Sequence, residues 1–229
     1  MLYPREPDAN KFNPFITLFP NFGNTDSVLD YGGNRGNLLY FSNNVINPYL
    51  YTCIDVDPTV IEHGKIEFPN SNWIFFNKFN WCYNHNGIDL EYPNIDINQN
   101  YIWAYSVFTH TDFKEFKTAV LWFLTFNFKK IAISFLDIDN IKLKESFYEK
   151  RIKRFGSSAD LPNANGNIVY FIDNTTLIYN QETAQRENCK EFLTFYKSSW
   201  LVEQFSKLGI DAKIEKDVAQ HSFLTITKQ

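Results

Sequence analysis

Short apolar stretches alternate with amphipathic stretches along most of the chain. The apolar stretches have the length of β-strands, and residues 101–108 form an almost continuous apolar run that is typical of a central parallel strand. This alternation predicts an open α/β sheet, mostly parallel, with right-handed crossovers and helices on both faces. The predicted strands in this part of the chain are 27–31, 51–55, 72–76, 101–108 and 130–136.

Capping residues indicate where the helices between these strands begin. A first helix is predicted over about residues 35–42. Asp57 is suited to cap the second helix, because Pro58 follows it in the first turn. Asp112 and Glu115 have the spacing of a capping box, and the apolar residues after Asp112 repeat at helical spacing. The sequence therefore predicts successive strand–helix units.

The alternation breaks after the fifth predicted strand, over residues 139–197. Residues 141–155 are basic and amphipathic, which predicts a helix. Two β-rich stretches, 168–172 and 177–179, flank the turn-forming residues 173–176, and we predict a hairpin there. We expect residues 139–197 to be an insertion in a single domain that spans the chain, either a cap over the substrate or an arm for a homodimer.

The two ends of the chain carry different signals. Residues 1–26 are rich in Pro, Asn and Phe without a clear period. They predict either a loop with a short helix over the site, or an extension that packs its aromatic residues on the core. Residues 199–208 predict a helix that Gly209 ends, and residues 212–215 and 222–227 predict two closing strands.

Composition and charge narrow the classes of function. A chain of 229 residues fits one domain with a sizeable core. The net charge of −4 disfavours general binding to nucleic acid. None of the three cysteines forms a CxxC pair, and the four histidines lack metal-ligand spacing, so we expect neither a disulfide framework nor a metal site. No apolar run reaches transmembrane length, and a soluble, cytoplasmic protein is the expectation.

The first predicted strand leads into the stretch with the clearest chemical signal. It ends near Asp30, and the glycines Gly32, Gly33 and Gly36 follow before the first helix. Such a turn lets the backbone approach a ligand without side-chain interference. Asp55 stands about twenty-five residues later, at the end of the second strand, which is the spacing used to hold a ribose diol.

The stretch 30–36 resembles the Gly-rich first motif of the class I S-adenosylmethionine-dependent methyltransferases. Gly32 and Gly36 match its outer glycines, Asn34 stands where the middle glycine is usual, and Gly33 stands one place earlier. Residues 106–110 resemble the fourth-strand motif of a branch that acts on small molecules, and the C-terminal helix and hairpin are also similar. The resemblance implies a Rossmann-like, seven-stranded sheet that ends in an antiparallel hairpin, with S-adenosylmethionine as cofactor.

The resemblance also implies roles for individual residues. Asp55 would accept hydrogen bonds from the ribose, and the Gly-rich turn would leave room for the amino-acid end of the cofactor. Asp30 has loop bracing as an alternative role, and Phe79 has a core position as its alternative. The implied cofactor-binding residues are Asp30, Tyr31, Gly32, Gly33, Gly36, Asp55, Val56, Phe79, Ser106 and Val107.

Methyl transfer depends mainly on holding the nucleophile, the methyl group and the sulfur in line. A base is needed only when the nucleophile arrives protonated, as a hydroxyl does. His110 is one candidate base, because imidazole titrates near neutrality, and its alternative role is to order the turn after the fourth strand. Asp137, at the end of the fifth strand, is the second candidate, and its alternative is to cap a loop.

The sequence favours methyl transfer to a small-molecule or sugar-like acceptor. A NAD(P)-dependent oxidoreductase is one alternative, although the glycines of residues 32–36 do not follow the G-x-G-x-x-G order. A non-catalytic protein that binds the cofactor on the same scaffold is the other, because a fold does not fix a function.

Overall fold

The computed structural model describes residues 12–80, 83–95, 98–139, 168–180, 185–218 and 221–228. The chain forms two compact units. The first comprises the described parts of Met1–Tyr105, Lys117–Ala132 and Thr227–Gln229. The second comprises the described parts of Ser106–Phe116 and Ile133–Ile226.

Four parallel strands form the sheet of the first unit. They are β1 (Val28–Tyr31), β2 (Tyr51–Asp55), β3 (Asn72–Phe75) and β4 (Tyr101–Ala104). Their order is β3-β2-β1-β4, and Leu29 of β1 pairs with Thr52 of β2 and Ile102 of β4. Every residue of β1 and β4 is buried, which agrees with the apolar runs that predicted these strands.

Helix α2 (Asn37–Phe41) follows β1, and helix α3 (Pro58–Glu67) follows β2. The predicted cap of α3 is confirmed, because the Asp57 carboxylate accepts a hydrogen bond from the Thr59 amide at 2.8 Å. Gly64 lies within α3, and a Cβ there would stand 2.2 Å from the ring of Trp73. Glycine therefore lets α3 approach β3 closely.

The N-terminal helix α1 (Phe12–Leu18) brings aromatic residues into the core of the first unit. Phe15 and Phe19 are fully buried, and their ring centroids lie 5.5 and 5.9 Å from that of Trp103 in β4. Phe19 also lies 4.9 Å from Tyr101. Of the two predictions for residues 1–26, packing on the core is confirmed for this helix. Residues 1–11 lie outside the described part of the chain.

The second unit contains the end of β5 (Lys130–Asp137), β6 (Ile168–Asn180), β7 (Gln185–Tyr196), β8 (Ala212–Val218) and β9 (His221–Thr227). β7 lies parallel to β5, where Leu136 pairs with Phe195, and β6 lies antiparallel to β7. β9 pairs with β5 and with β8. The predicted antiparallel pair of closing strands is thus confirmed.

The predicted hairpin around residues 173–176 is wrong. These residues lie inside β6, which pairs with β7 on both sides of a register shift between Asp173 and Thr176. Pairing with β7 outweighs the local preference of these residues for a turn. They lie at the register shift of the strand instead. The partner strand β7 went unpredicted because Gln185–Cys189 is polar. The helix predicted for residues 141–155 lies outside the described residues.

Helices α4 (Phe113–Phe123) and α5 (Ser198–Ser206) contribute aromatic residues to the second unit. Phe116 lies 5.7 Å from Phe205 and 5.5 Å from Tyr196, measured between ring centroids. The predicted C-terminal stop of α5 is confirmed, because Gly209 adopts φ 75° and the next amide donates to the Phe205 carbonyl. Within the described ranges, no helix has the length and apolar character needed to cross a bilayer.

Candidate functional site

The Gly-rich turn after β1 is built from left-handed residues. Gly32, Asn34 and Gly36 have φ values of 69°, 56° and 78°. Glycine and asparagine adopt this region at lower cost than other residues. The Gly32 amide donates to the Ile54 carbonyl at 2.7 Å, so the start of the turn is held against β2. The sequence pattern had predicted a tight turn here, and the backbone confirms it.

Packing beneath the turn explains why residue 33 is a glycine. The resemblance had implied that this glycine leaves room for a ligand. A Cβ at this position would stand 2.6 Å from Oδ2 of Asp30 and 2.8 Å from Sγ of Cys53. Both distances are shorter than real Cβ contacts. Glycine is therefore required by the side chains of β1 and β2, whatever the turn binds. Sequence reasoning missed this role because Cys53 is distant along the chain.

Asp55 occupies the end of β2, directly against the turn. Its Oδ2 accepts a hydrogen bond from the Asn34 amide at 2.8 Å, and its Oδ1 accepts one from the Asp57 amide at 3.0 Å. The residue is only partly buried. A carboxylate at this place can brace the turn and also accept hydrogen bonds from a ligand, since it offers about four acceptor sites.

Asp30 lies under the turn with a partner that sequence reasoning missed. The Tyr51 phenol donates a hydrogen bond of 2.6 Å to Oδ2 of Asp30, and both residues are fully buried. Burial, followed by the negative charge of Asp30, raises the pKa of the Tyr51 phenol well above its usual value. Tyr51 is the first residue of β2, and only the pairing of β1 with β2 brings the two side chains together. This contact joins β1 to β2, and both roles predicted for Asp30 at the turn stay predictions.

Two apolar residues lie beyond the ends of β2 and β3. Val56 is partly buried, and Phe79 is 40% exposed, so the core alternative for Phe79 is wrong. The Phe79 amide donates to the Ile88 carbonyl at 3.0 Å, and Asn84 donates to Asn77 at 3.0 Å. The segment after β3 therefore holds Phe79 in place on an ordered loop.

Tyr31, at the end of β1, belongs to an aromatic cluster in the first unit. It is 5% exposed, and its ring lies 5.4 Å from Phe123 and 6.1 Å from Trp122. Its hydroxyl lies 3.3 Å from that of Tyr92, which stacks on Trp122 at 4.9 Å. These contacts give Tyr31 a packing role, and its contact with a cofactor stays a prediction.

The second unit holds the predicted residues that follow β4. The strand ends earlier than predicted, because Ser106 adopts a left-handed φ of 60° and its amide donates to the Ser134 hydroxyl at 2.6 Å. Val107 and His110 are partly buried. His110 ends a short 3₁₀ turn, Phe108–His110, in which its amide donates to the Val107 carbonyl at 3.0 Å.

Asp137, the other candidate base, is 1% exposed in the second unit. Its Oδ2 accepts a hydrogen bond from the Ser222 hydroxyl at 3.1 Å, and its Oδ1 accepts one from the Asp139 amide at 3.0 Å. These bonds join the end of β5 to β9 and to the chain that follows. They match the capping alternative for this carboxylate, and its catalytic role stays a prediction.

The structure thus brings one group of predicted residues together in the first unit, around the ends of β1 and β2. This group comprises Asp30, Tyr31, Gly32, Gly33, Gly36, Asp55 and Val56. Ser106, Val107, His110 and Asp137 belong to the second unit. In the part of the chain that the structure describes, no group of three or more His, Cys, Asp or Glu residues could hold a metal ion.

No protein-family model and no curated protein matches the chain. Among solved structures, it is similar to an S-adenosylmethionine-dependent methyltransferase from Clostridium acetobutylicum, with a TM-score of 0.57 and 12% identity over 99% of this chain and 93% of that one. It is similar to the glycopeptide N-methyltransferase MtfA with sinefungin, with a TM-score of 0.58 and 9% identity over 98% of this chain and 88% of that one.

A DhpI complex with SAM and HEP has a TM-score of 0.57 and 11% identity over 97% of this chain and 88% of that one. At sequence identities this low, the structural similarity shows the fold alone. The seven predicted strands are present as β1 to β5, β8 and β9, with the closing pair antiparallel. The chain has the fold of the class I S-adenosylmethionine-dependent methyltransferases.

Proposed function

We propose that this protein is an S-adenosylmethionine-dependent methyltransferase that acts on a small-molecule or sugar-like acceptor. The observation that carries the proposal is the position of Asp55. Its carboxylate ends β2 and is joined to the Gly-rich turn by the Asn34 amide at 2.8 Å. Ligands of open α/β sheets bind beyond the carboxyl ends of the strands, which is where this pair lies.

The residues present fit the chemical groups of the cofactor. A carboxylate suits the two ribose hydroxyls, since both are donors. Partly buried Val56 and exposed Phe79 offer apolar surface of the kind an adenine ring contacts. Three of the five residues 32–36 are glycines, so most of the turn has no side chain that would obstruct the amino-acid end. Solved structures of the same fold contain S-adenosylmethionine or sinefungin, which supports this assignment.

Bound S-adenosylmethionine supplies a methyl group on a positively charged sulfur. The protein's part is to bind the ribose through Asp55, to orient the amino-acid end along the Gly-rich turn, and to keep the acceptor in line. For a hydroxyl acceptor, the imidazole of His110 would take the proton as the oxygen attacks. Asp137 is 1% exposed, whereas His110 is only partly buried and so more accessible to an acceptor, and His110 is therefore the proposed base.

The segment 139–197 is proposed to cap the acceptor. Its described end lies beside the candidate base: the hydroxyls of Thr194 and Tyr196, in β7, both donate to the Thr111 carbonyl, next to His110. An element anchored there can exclude water and contact the acceptor. A dimer arm is the alternative. Light scattering of a variant that lacks residues 156–181 separates the two, because loss of a dimer with turnover intact would contradict the cap.

Ligand-dependent thermal stability tests the proposed function. A ligand that binds only the folded state raises its stability by RT ln(1 + [L]/Kd), which is about 2.7 kcal/mol at one hundred times Kd. S-Adenosylhomocysteine should raise the midpoint of unfolding, and NAD should leave it unchanged. Stabilisation by NAD alone would support the oxidoreductase. Cofactor binding with no labelled methyl group transferred across a panel of hydroxyl and amine acceptors would support a non-catalytic binding protein.

A further inference from the structure

Asn34 lies in the middle of the Gly-rich turn and forms hydrogen bonds through three of its groups. Its amide donates to Oδ2 of Asp55 at 2.8 Å, and its carbonyl accepts from the Cys53 thiol at 3.4 Å. Its side-chain oxygen accepts from the Arg35 amide at 2.8 Å. Two of these bonds tie the turn to β2, and the third holds the side chain against the turn itself.

The bond from Asn34 also fixes the carboxylate of Asp55. Because the Asp57 amide bonds the other oxygen at 3.0 Å, the two amides hold the carboxylate from both oxygens. A carboxylate can accept about four hydrogen bonds. A diol that approaches Asp55 therefore meets a carboxylate whose plane is already set, and binding does not have to order it.

The backbone conformation at Asn34 is part of the turn in which its amide donates to Asp55. Its φ of 56° lies in the left-handed region, where asparagine and glycine are tolerated and a residue such as alanine is strained by its Cβ. The bond from the side chain to the Arg35 amide stabilises the same conformation. The identity of residue 34 thus controls whether the amide stays on the carboxylate.

We propose that Asn34 is a positioning residue that sets the preference of the site for an intact ribose diol by acting through Asp55. The inference rests on the proposed function, since it takes Asp55 as the ribose acceptor. Asparagine suits this position because it keeps the left-handed conformation, as glycine would, and adds a hydrogen bond that restricts the turn.

The ratio of two affinities tests this role. Calorimetry or thermal shift would compare 5′-methylthioadenosine with its 2′-deoxy analogue, in the full chain and in Asn34→Ala and Asn34→Gly. We expect the full chain to prefer the intact diol about tenfold, as a hydrogen bond to a charged group implies. Asn34→Ala should lower that ratio several-fold. Asn34→Gly should lower it less, because glycine retains the conformation and loses only the side-chain bond to the Arg35 amide.

A merely structural role predicts something different, namely that Asn34→Ala weakens both ligands equally and leaves the ratio unchanged. That result would overturn the inference, as would an equal fall of the ratio in Asn34→Gly. The test also separates the inference from the function on which it rests. If the wild type fails to bind S-adenosylhomocysteine, the proposed function fails. If it binds S-adenosylhomocysteine but shows no preference for the diol, only the inference fails.

Discussion

Replacing Tyr51 by phenylalanine removes one hydroxyl from beneath the Gly-rich turn. In the native protein this hydroxyl donates to Asp30 at 2.6 Å, and both residues are fully buried. A hydrogen bond to a charged group contributes about 1.5–3 kcal/mol, and water cannot easily replace it at a buried site. We therefore expect Tyr51→Phe to lower the free energy of unfolding by about 2–3 kcal/mol. In a chain of this length, that corresponds to a fall in Tm of roughly 4–12 °C.

Urea denaturation at pH 7 measures this effect, and Tyr49→Phe is the matched control. Tyr49 is 73% exposed, so losing its hydroxyl should change the free energy of unfolding by less than about 0.5 kcal/mol. Equal stabilities of Tyr51→Phe and Tyr49→Phe would refute the reasoning that the phenol stabilises a buried carboxylate.

The dependence of stability on pH gives a second test of the same contact. Burial and the charge of Asp30 raise the pKa of Tyr51, so the folded state keeps its proton where the unfolded state loses it, above about pH 10. The stabilisation is fully present below about pH 10 and is lost as pH rises toward the folded pKa. The free energy of unfolding should fall less steeply above pH 10 in Tyr51→Phe. Parallel curves for the two proteins would contradict this.

Three further substitutions test the surroundings of the site. Asp57→Ala removes the cap of α3 and should cost about 1 kcal/mol in urea denaturation, and an unchanged midpoint would contradict the cap. Gly33→Ala should cost about 1–3 kcal/mol, because its Cβ would stand 2.6 Å from a buried carboxylate. Gly23→Ala, where the nearest atom is 3.8 Å away, is its control and should be nearly neutral. Gly32→Val, at φ 69°, should weaken S-adenosylhomocysteine more than Asn34→Ala does, and equal binding would show that the turn is placed wrongly.

Local signals predicted the parts of the fold that local interactions determine. Asp57 and Pro58 predicted the start of α3 correctly, because a cap and a first-turn proline act within a few residues. Residues 173–176 predicted a turn incorrectly, because pairing with β7 overrides their turn chemistry. Strand pairing between distant segments is decided by tertiary contacts, which neither periodicity nor propensity reports.

The same distinction applies to the candidate site. The glycines and Asp55 were identifiable from their types and spacing, because a close backbone approach and a diol require such residues. Tyr51 was not identifiable, since its role depends on Asp30, twenty-one residues earlier and on another strand. Gly33 was identified as a site residue, but the reason for a glycine there was not. Only the folded protein places Cys53 against it.

Calorimetric titration of S-adenosylhomocysteine into the wild type and into Asp55→Ala tests the central claim most directly. Asp55 holds the turn and is the proposed acceptor for the ribose, so its removal should cost about 1.5–3 kcal/mol of binding free energy. The account predicts that the wild type binds and that the folded variant binds roughly ten- to 150-fold more weakly. Equal affinities for the two proteins, or no binding by the wild type, would contradict it.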